Sequence, residues 1–144
     1  MKVVGEVNMI KLSEIRDALY DASMGTSCYF NTKTNEILWY WDFNKEESTY
    51  TEEDEFNDDI ISMFNFYSKN DYDIMQDFIY HISNDSLRNE LFNATRCKGA
   101  FYRFREITDY RNITNDCYKF QDDEYKKIAE EWCTDNKIEY EKDC

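Results

Sequence analysis

Apolar positions recur along the chain with two different periods. Residues 1–10 can extend as a short strand, and Leu12, Ile15, Ala18 and Leu19 then return at helical spacing. Ser13 can cap that helix, and Gly25 marks its end. Ser27–Phe30 and Glu36–Trp41 are β-prone runs flanking the polar stretch Asn31-Thr32-Lys33-Thr34-Asn35, a pattern that predicts a hairpin. From residue 60 onward the spacing is helical again: Ile60, Ile61, Phe64 and Tyr67, then Ile74, Met75, Phe78, Ile79 and Ile82. Leu87, Leu91 and Ala94 continue the series after a cap at Asn84 or Asp85, and Gly99 interrupts it. A short helix with Phe101, Phe104 and Ile107 follows, then a last one with Tyr118, Tyr125, Ile128, Ala129 and Trp132 that ends near Asn136. The pattern predicts an α+β fold, mostly helical, with a small N-terminal antiparallel sheet or hairpin, in a single domain over residues 1–144.

Composition adds to this picture in three places. The 144 residues suffice for one core, and ten Phe, twelve Tyr and three Trp carry much of what aliphatic residues would otherwise fill. No apolar run approaches the roughly 20 residues of a membrane span. The opening MKVVGEVNMIKLSEI lacks the long apolar stretch and small-residue cleavage site of a signal peptide, so a cytoplasmic location is expected. Cys28, Cys97, Cys117, Cys133 and Cys144 form an odd set without a Cys-x-x-Cys pair, unlike a disulfide framework or a zinc site, and are expected to be reduced. The absence of proline, with abundant Asn, Lys, Ile and Tyr, suits an AT-rich bacterial or phage genome.

Charge is distributed unevenly. The net charge of −14 argues against binding a phosphate backbone or an anionic membrane surface. Between Asp42 and Asp59 nine acidic residues face one lysine, Lys45, a local charge of −8 that predicts an exposed, solvated stretch over 42–59. A cation site or a nucleic-acid-mimicking face is the functional alternative for the same run, although it lacks the Asp-x-Asp-x-Asp-Gly pattern of a calcium loop. Residues 88–111 are the opposite. Arg88, Arg96, Lys98, Arg103, Arg105 and Arg111 stand there against Glu90, Glu106 and Asp109, a net +3, so the rest of the chain carries −17.

Arginine's planar fork pairs bidentately with phosphate or carboxylate and stacks on flat rings. Phe101, Tyr102, Phe104 and Tyr110 are interleaved with these arginines and could supply such rings. The functional reading is a pocket for an anionic, nucleotide-like small molecule, with Arg88, Arg96, Lys98, Phe101, Tyr102, Arg103, Phe104 and Arg105 as the candidate ligand-binding residues. The plainer reading is that the arginines pair with the protein's own acids and tie helices together.

Catalytic motifs are lacking. His81 cannot build a multi-histidine metal site, nothing local supports a Cys–His dyad, and three glycines allow neither a Walker loop nor a dinucleotide fingerprint. With 31 Asp and Glu, carboxylate spacing carries no information about acid–base catalysis. No cofactor, metal or catalytic residue is assigned.

The segment Lys98-Gly99-Ala100-Phe101-Tyr102-Arg103-Phe104-Arg105-Glu106, with Cys117-Tyr118-Lys119-Phe120 and Ile128-Ala129-Glu130-Glu131-Trp132-Cys133 after it, resembles uncharacterised protein family 0158 of bacteria. Met75-Gln76-Asp77-Phe78-Ile79 and the hairpin from Tyr29-Phe30-Asn31 to Glu36-Ile37-Leu38-Trp39 are also similar, so the likeness covers most of the chain outside the acidic stretch. The family pattern has tryptophan where this chain has Cys117. The resemblance implies an α+β fold and no particular activity.

Three functions stay in view. The first is a non-enzymatic protein that holds or sequesters an anionic, nucleotide-derived small molecule, in a phage setting by removing a host immune signal. The second is an acidic inhibitor that docks on a basic protein as a nucleic-acid mimic, through Asp42 to Asp59 and neighbouring carboxylates. The third is a hydrolase acting through carboxylates. Exposed aromatics on an acidic protein are compatible with a homodimer.

Overall fold

A computed structural model describes residues 9–63 and 70–144. The chain runs β1 (Ile10–Lys11), α1 (Leu12–Ser23), β2 (Ser27–Asn31), β3 (Glu36–Tyr40), β4 (Ile60–Ser62), α2 (Asp71–Tyr80), α3 (Asp85–Ala94), α4 (Ala100–Tyr110), α5 (Thr114–Asp135) and β5 (Tyr140–Glu141), an α+β architecture dominated by helix. A single 3-10 turn, Glu52–Phe56, interrupts the acidic stretch. The chain groups into two compact units, one built from residues before 69 together with 125–144 and the other from 69–124.

In the first unit β2 is the central strand of a three-stranded antiparallel sheet ordered β3-β2-β4. The β2–β3 hairpin has the expected register, Cys28 opposite Trp39 and Phe30 opposite Ile37, with Asn35 turning at a positive φ of 58°. Side-chain alternation sends Cys28 and Phe30 to the buried side. They meet Leu12, Ile15, Ala18 and Leu19 of α1 and Ile128, Ala129, Trp132 and Cys133 of α5 in one cluster. Phe30 is fully buried and meets the Trp132 ring edge-on at 5.8 Å between centroids. A two-stranded parallel pair, β1 with β5, completes the unit.

The second unit is helical. Met75, Phe78 and Ile79 of α2, Leu91 of α3 and Phe104 of α4 form its core, with Phe120 and Cys117 of α5 packed against it. Phe78 meets both Phe104 and Phe120 edge-on, at 6.2 and 5.6 Å. Both helix caps here follow from sequence chemistry: Asn70 accepts from the Asp73 N–H and Asn84 from the Leu87 N–H.

The structure departs from the sequence pattern at several points. Ile60 and Ile61, spaced as if helical, lie in β4, where they pair with Asn31 and Phe30. Phe64 and Tyr67 lie outside the described residues, as do residues 1–8 of the predicted first strand. Lys11, not Ser13, occupies the cap position of α1, and the Ser13 N–H and hydroxyl instead donate to Asp143 across 130 residues of chain. β3 ends at Tyr40, one residue short of Trp41, and β5 was not foreseen.

Truncation of Phe30 removes the ring that joins sheet and helices in the first unit. Phe30→Ala is expected to lower stability by about 3–5 kcal/mol, read as a shift of the urea midpoint followed by tryptophan fluorescence, which reports the loss of the Trp132 contact.

Candidate functional site

A hollow of about 210 Å³ in the second unit lies among α2, α4 and the first turns of α5. Ile74 and Met75 from α2 and Phe101 and Phe104 from α4 give it apolar walls. Arg105, Tyr118, Asp71, Gln121, Thr108 and Thr114 supply its polar groups. Helical periodicity explains the grouping: 101, 104, 105 and 108 share one face of α4, and 114, 117, 118 and 121 one face of α5.

The α4–α5 corner fixes the polar side. Thr108 is completely buried, and its hydroxyl donates to the Arg105 carbonyl at 3.2 Å and lies 3.0 Å from the Thr114 hydroxyl. The Thr114 hydroxyl is also within hydrogen-bond distance of the Asp109 carboxylate. Asp109 accepts the Arg105 Nε–H at 3.1 Å, and the Arg105 Nη1 donates to the Tyr118 hydroxyl. The guanidinium also lies over the Tyr118 ring, 5.1 Å from its centroid. The Thr114 hydrogen bond, followed by Arg105, holds the Asp109 carboxyl below its ordinary pKa. The hydrogen bond to Asp109 raises that of Arg105. Across the hollow the Asp71 carboxylate accepts from the Gln121 amide at 3.3 Å.

Of the eight residues expected to gather, the hollow is lined by Phe101, Phe104 and Arg105. The other five do not line it, each for a local reason. Arg88 donates to the Ile82 carbonyl at 2.8 Å and pairs with Asp85, which fastens the first turn of α3. Arg103 donates to the Lys98 carbonyl, folding back over the Gly99 turn. Tyr102 is exposed and hydrogen-bonds Glu106, whose carboxylate raises the phenol's pKa. Arg96 and Lys98 lie exposed between α3 and α4. Arg111, the sixth cation of the window, pairs with Glu90 at 2.9 Å. The basic island is thus divided into separate local ties, and one guanidinium faces the hollow.

Charge counting could not find the rest of the lining. Asp71, Ile74 and Met75 come from a helix some thirty residues upstream of Arg105, and Thr108 and Thr114 carry no charge. The helical spacing of Arg105 with Phe101 and Thr108 was the one usable signal.

Burial, opposed by Arg105, pushes the Cys117 thiol above its ordinary pKa, so it stays protonated at neutral pH and is no thiolate nucleophile. His81 lies at the end of α2, its Nδ1 2.7 Å from the Asp77 carbonyl oxygen and its ring 5.5 Å from Phe120, and it does not line the hollow. Among the described residues no group of three His, Cys, Asp or Glu could hold a metal ion, and no helix is long and apolar enough to cross a membrane. All five cysteines carry free thiols. Burial pushes Cys28 and Cys133 up to about 12 and about 11.

Substitutions at two positions test the two ends of α4. Because the folded pKa of Asp109 is depressed, the stability it contributes is present above the ordinary carboxylate pKa and is lost as pH falls through the folded value. Urea midpoints taken between about pH 5 and 2 should therefore decline less steeply for Asp109→Asn than for the wild type. Gly99, which starts α4 at φ +82°, has room for a methyl group, its nearest contact being Arg103 at 3.7 Å. The cost of Gly99→Ala is then the left-handed backbone alone, about 1–2 kcal/mol, and Gly99→Asn should recover part of it in the same assay.

Comparison with curated proteins and with solved structures gives no match. Residues 9–143, nearly the whole chain, match the model of the Uncharacterised protein family (UPF0158), and the chain belongs to that family.

Proposed function

We propose that this protein is a binding protein for a compact anionic ligand with a flat ring, held between α2, α4 and α5. The observation that carries the reading is one hollow with apolar and aromatic walls and a single oriented guanidinium at its edge. Arginine has five N–H donors in a planar fork. The described residues use the Nε–H and one from Nη1, so the remaining donors can meet a phosphate or carboxylate oxygen. Phe101 and Phe104 offer rings against which a flat group can pack.

Size and charge narrow the ligand. About 210 Å³ is below the roughly 300–1,000 Å³ of drug-sized sites, room for one ring system and not for a whole nucleotide. A phosphate would stay at the rim beside Arg105, whose side chain is half-exposed. Asp71 opposes a purely anionic ligand and favours one whose ring carries an N–H donor, as nucleobases do. A nucleotide-derived molecule meets all three demands, and holding it without reaction amounts to storage or sequestration.

Thermal shift and calorimetry with a panel of mononucleotides and cyclic nucleotides test this. At least one should stabilise the wild type, and Arg105→Ala should weaken it roughly ten-fold or more, the loss of a charged hydrogen bond, while Arg103→Ala binds as the wild type does. No stabilisation by any member, or equal binding by Arg105→Ala, would overturn the proposal.

A further inference from the structure

The sheet of the first unit has two unlike faces. Cys28 and Phe30 of β2 are buried, and the residues that share their side, Ile37, Trp39 and Ile61, pack on the core. Ser27 and Tyr29 alternate to the opposite side, where the register places Leu38 and Ser62 against Tyr29 and Tyr40 against Ser27. Tyr29, Leu38 and Tyr40 are not part of that core cluster. Three large side chains are therefore spent on a face that contributes little to the hydrophobic core.

Those side chains are ordered against one another. Tyr50 donates its backbone N–H to the Trp39 carbonyl at 3.0 Å and lays its ring flat on Tyr29, centroids 3.7 Å apart and planes 10° from parallel. Tyr40 stands edge-on to Tyr50 at 6.5 Å and 82°. All three rings are half-buried, so each keeps exposed surface. The acidic stretch continues directly from Tyr50: the next residue, Thr51, donates its N–H to the Asp54 carboxylate at 2.8 Å and caps the Glu52–Phe56 turn. After burial, the charge of Glu55 is the next influence on the Tyr29 phenol, and Glu55 and Asp54 also act on Tyr50. The turn that carries them presents Glu52, Glu53, Asp54 and Glu55 in succession.

We infer that the Tyr29–Tyr40–Tyr50 face, with the Glu52–Phe56 turn beside it, is a docking surface for an arginine-bearing basic segment of another protein. The ring faces attract a guanidinium through their quadrupole, and a flat guanidinium stacks where an ammonium cannot. The surrounding carboxylates draw a basic chain in and set its orientation, and they repel nucleic acid. A local charge of −8 over residues 42–59 suits several cations on one extended segment. This surface belongs to the first unit and is independent of the proposed ligand hollow in the second.

The test is a titration of the full chain with a short arginine–serine peptide at low and high salt, with a glutamate–serine peptide as control. The arginine peptide should bind, more weakly as salt rises, and the control should not. Tyr50→Ala should weaken binding about ten-fold, while Tyr110→Ala, which removes an exposed tyrosine of α4, should leave it unchanged. In case Tyr50→Ala does not fold, tyrosine ring resonances of the wild type followed during the same titration give a second reading. Shifts concentrated at Tyr29, Tyr40 and Tyr50 support the surface. No binding of the arginine peptide, equal behaviour of the two variants, or shifts centred on other tyrosines would overturn it.

Discussion

Self-repulsion is the constraint under which this chain folds. With a net charge of −14, it has to bury apolar surface without burying carboxylates, since an unpaired buried acid costs more than the burial around it returns. The described residues meet that condition: the buried polar residues are Thr95 and Thr108, both hydrogen-bonded, and no buried side-chain nitrogen or oxygen lacks a partner. Some acids stand at helix starts, as with Asp71 and Asp73 of α2, others on the long connection between β3 and β4, and others along exposed helix faces, as with Glu106 of α4 and Glu131 of α5. The aromatic residues supply the core in return, Phe30 against Trp132 in one unit and Phe78 against Phe104 and Phe120 in the other.

Arginines work within the same constraint, and this decides what the basic window becomes. Each of Arg88, Arg103, Arg105 and Arg111 reaches a nearby carboxylate or carbonyl, at sequence separations from 3 to 21 residues. In an acidic chain a guanidinium has partners in every direction, so clustering in sequence need not mean convergence in space. Arg105 is different because Thr114 holds Asp109 in place and Tyr118 takes a second donor. The pair therefore positions the guanidinium at the hollow, and exposure of both partners makes its contribution to stability small.

Much of the fold is legible in the residues because helical spacing survives long-range packing. Leu12, Ile15, Ala18 and Leu19 are all buried on α1, and Ile128, Ala129 and Trp132 on α5. The pair Ile60–Ile61 departs from its spacing for a physical reason: in sequence it imitates a helix together with Phe64 and Tyr67, and pairing with Asn31 and Phe30 makes it a strand. Two-residue strands such as β1 and β5 have no period to detect. At the candidate site the sequence window contained Phe101, Phe104 and Arg105, which one helix face presents together. Asp71, Thr114 and Gln121 reach the hollow from other helices, and no one-dimensional pattern links them.

The two proposed surfaces ask for opposite charges, which raises the question of how one acidic molecule could serve both. Range resolves it. At physiological ionic strength charges are screened over about 8 Å, so the acids around the Glu52–Phe56 turn act on a basic chain that has come close to them, where several cations sum. The proposed anion at Arg105 would gain nothing from the molecule's net negative charge and would depend on contacts of a few ångströms with one guanidinium and two aromatic rings. Selection at the hollow would then follow from the shape of the ring and the direction of its hydrogen bonds more than from the number of its charges. That ordering favours a singly charged heterocycle over a polyphosphate, and it is the acidity of the surrounding protein that imposes it.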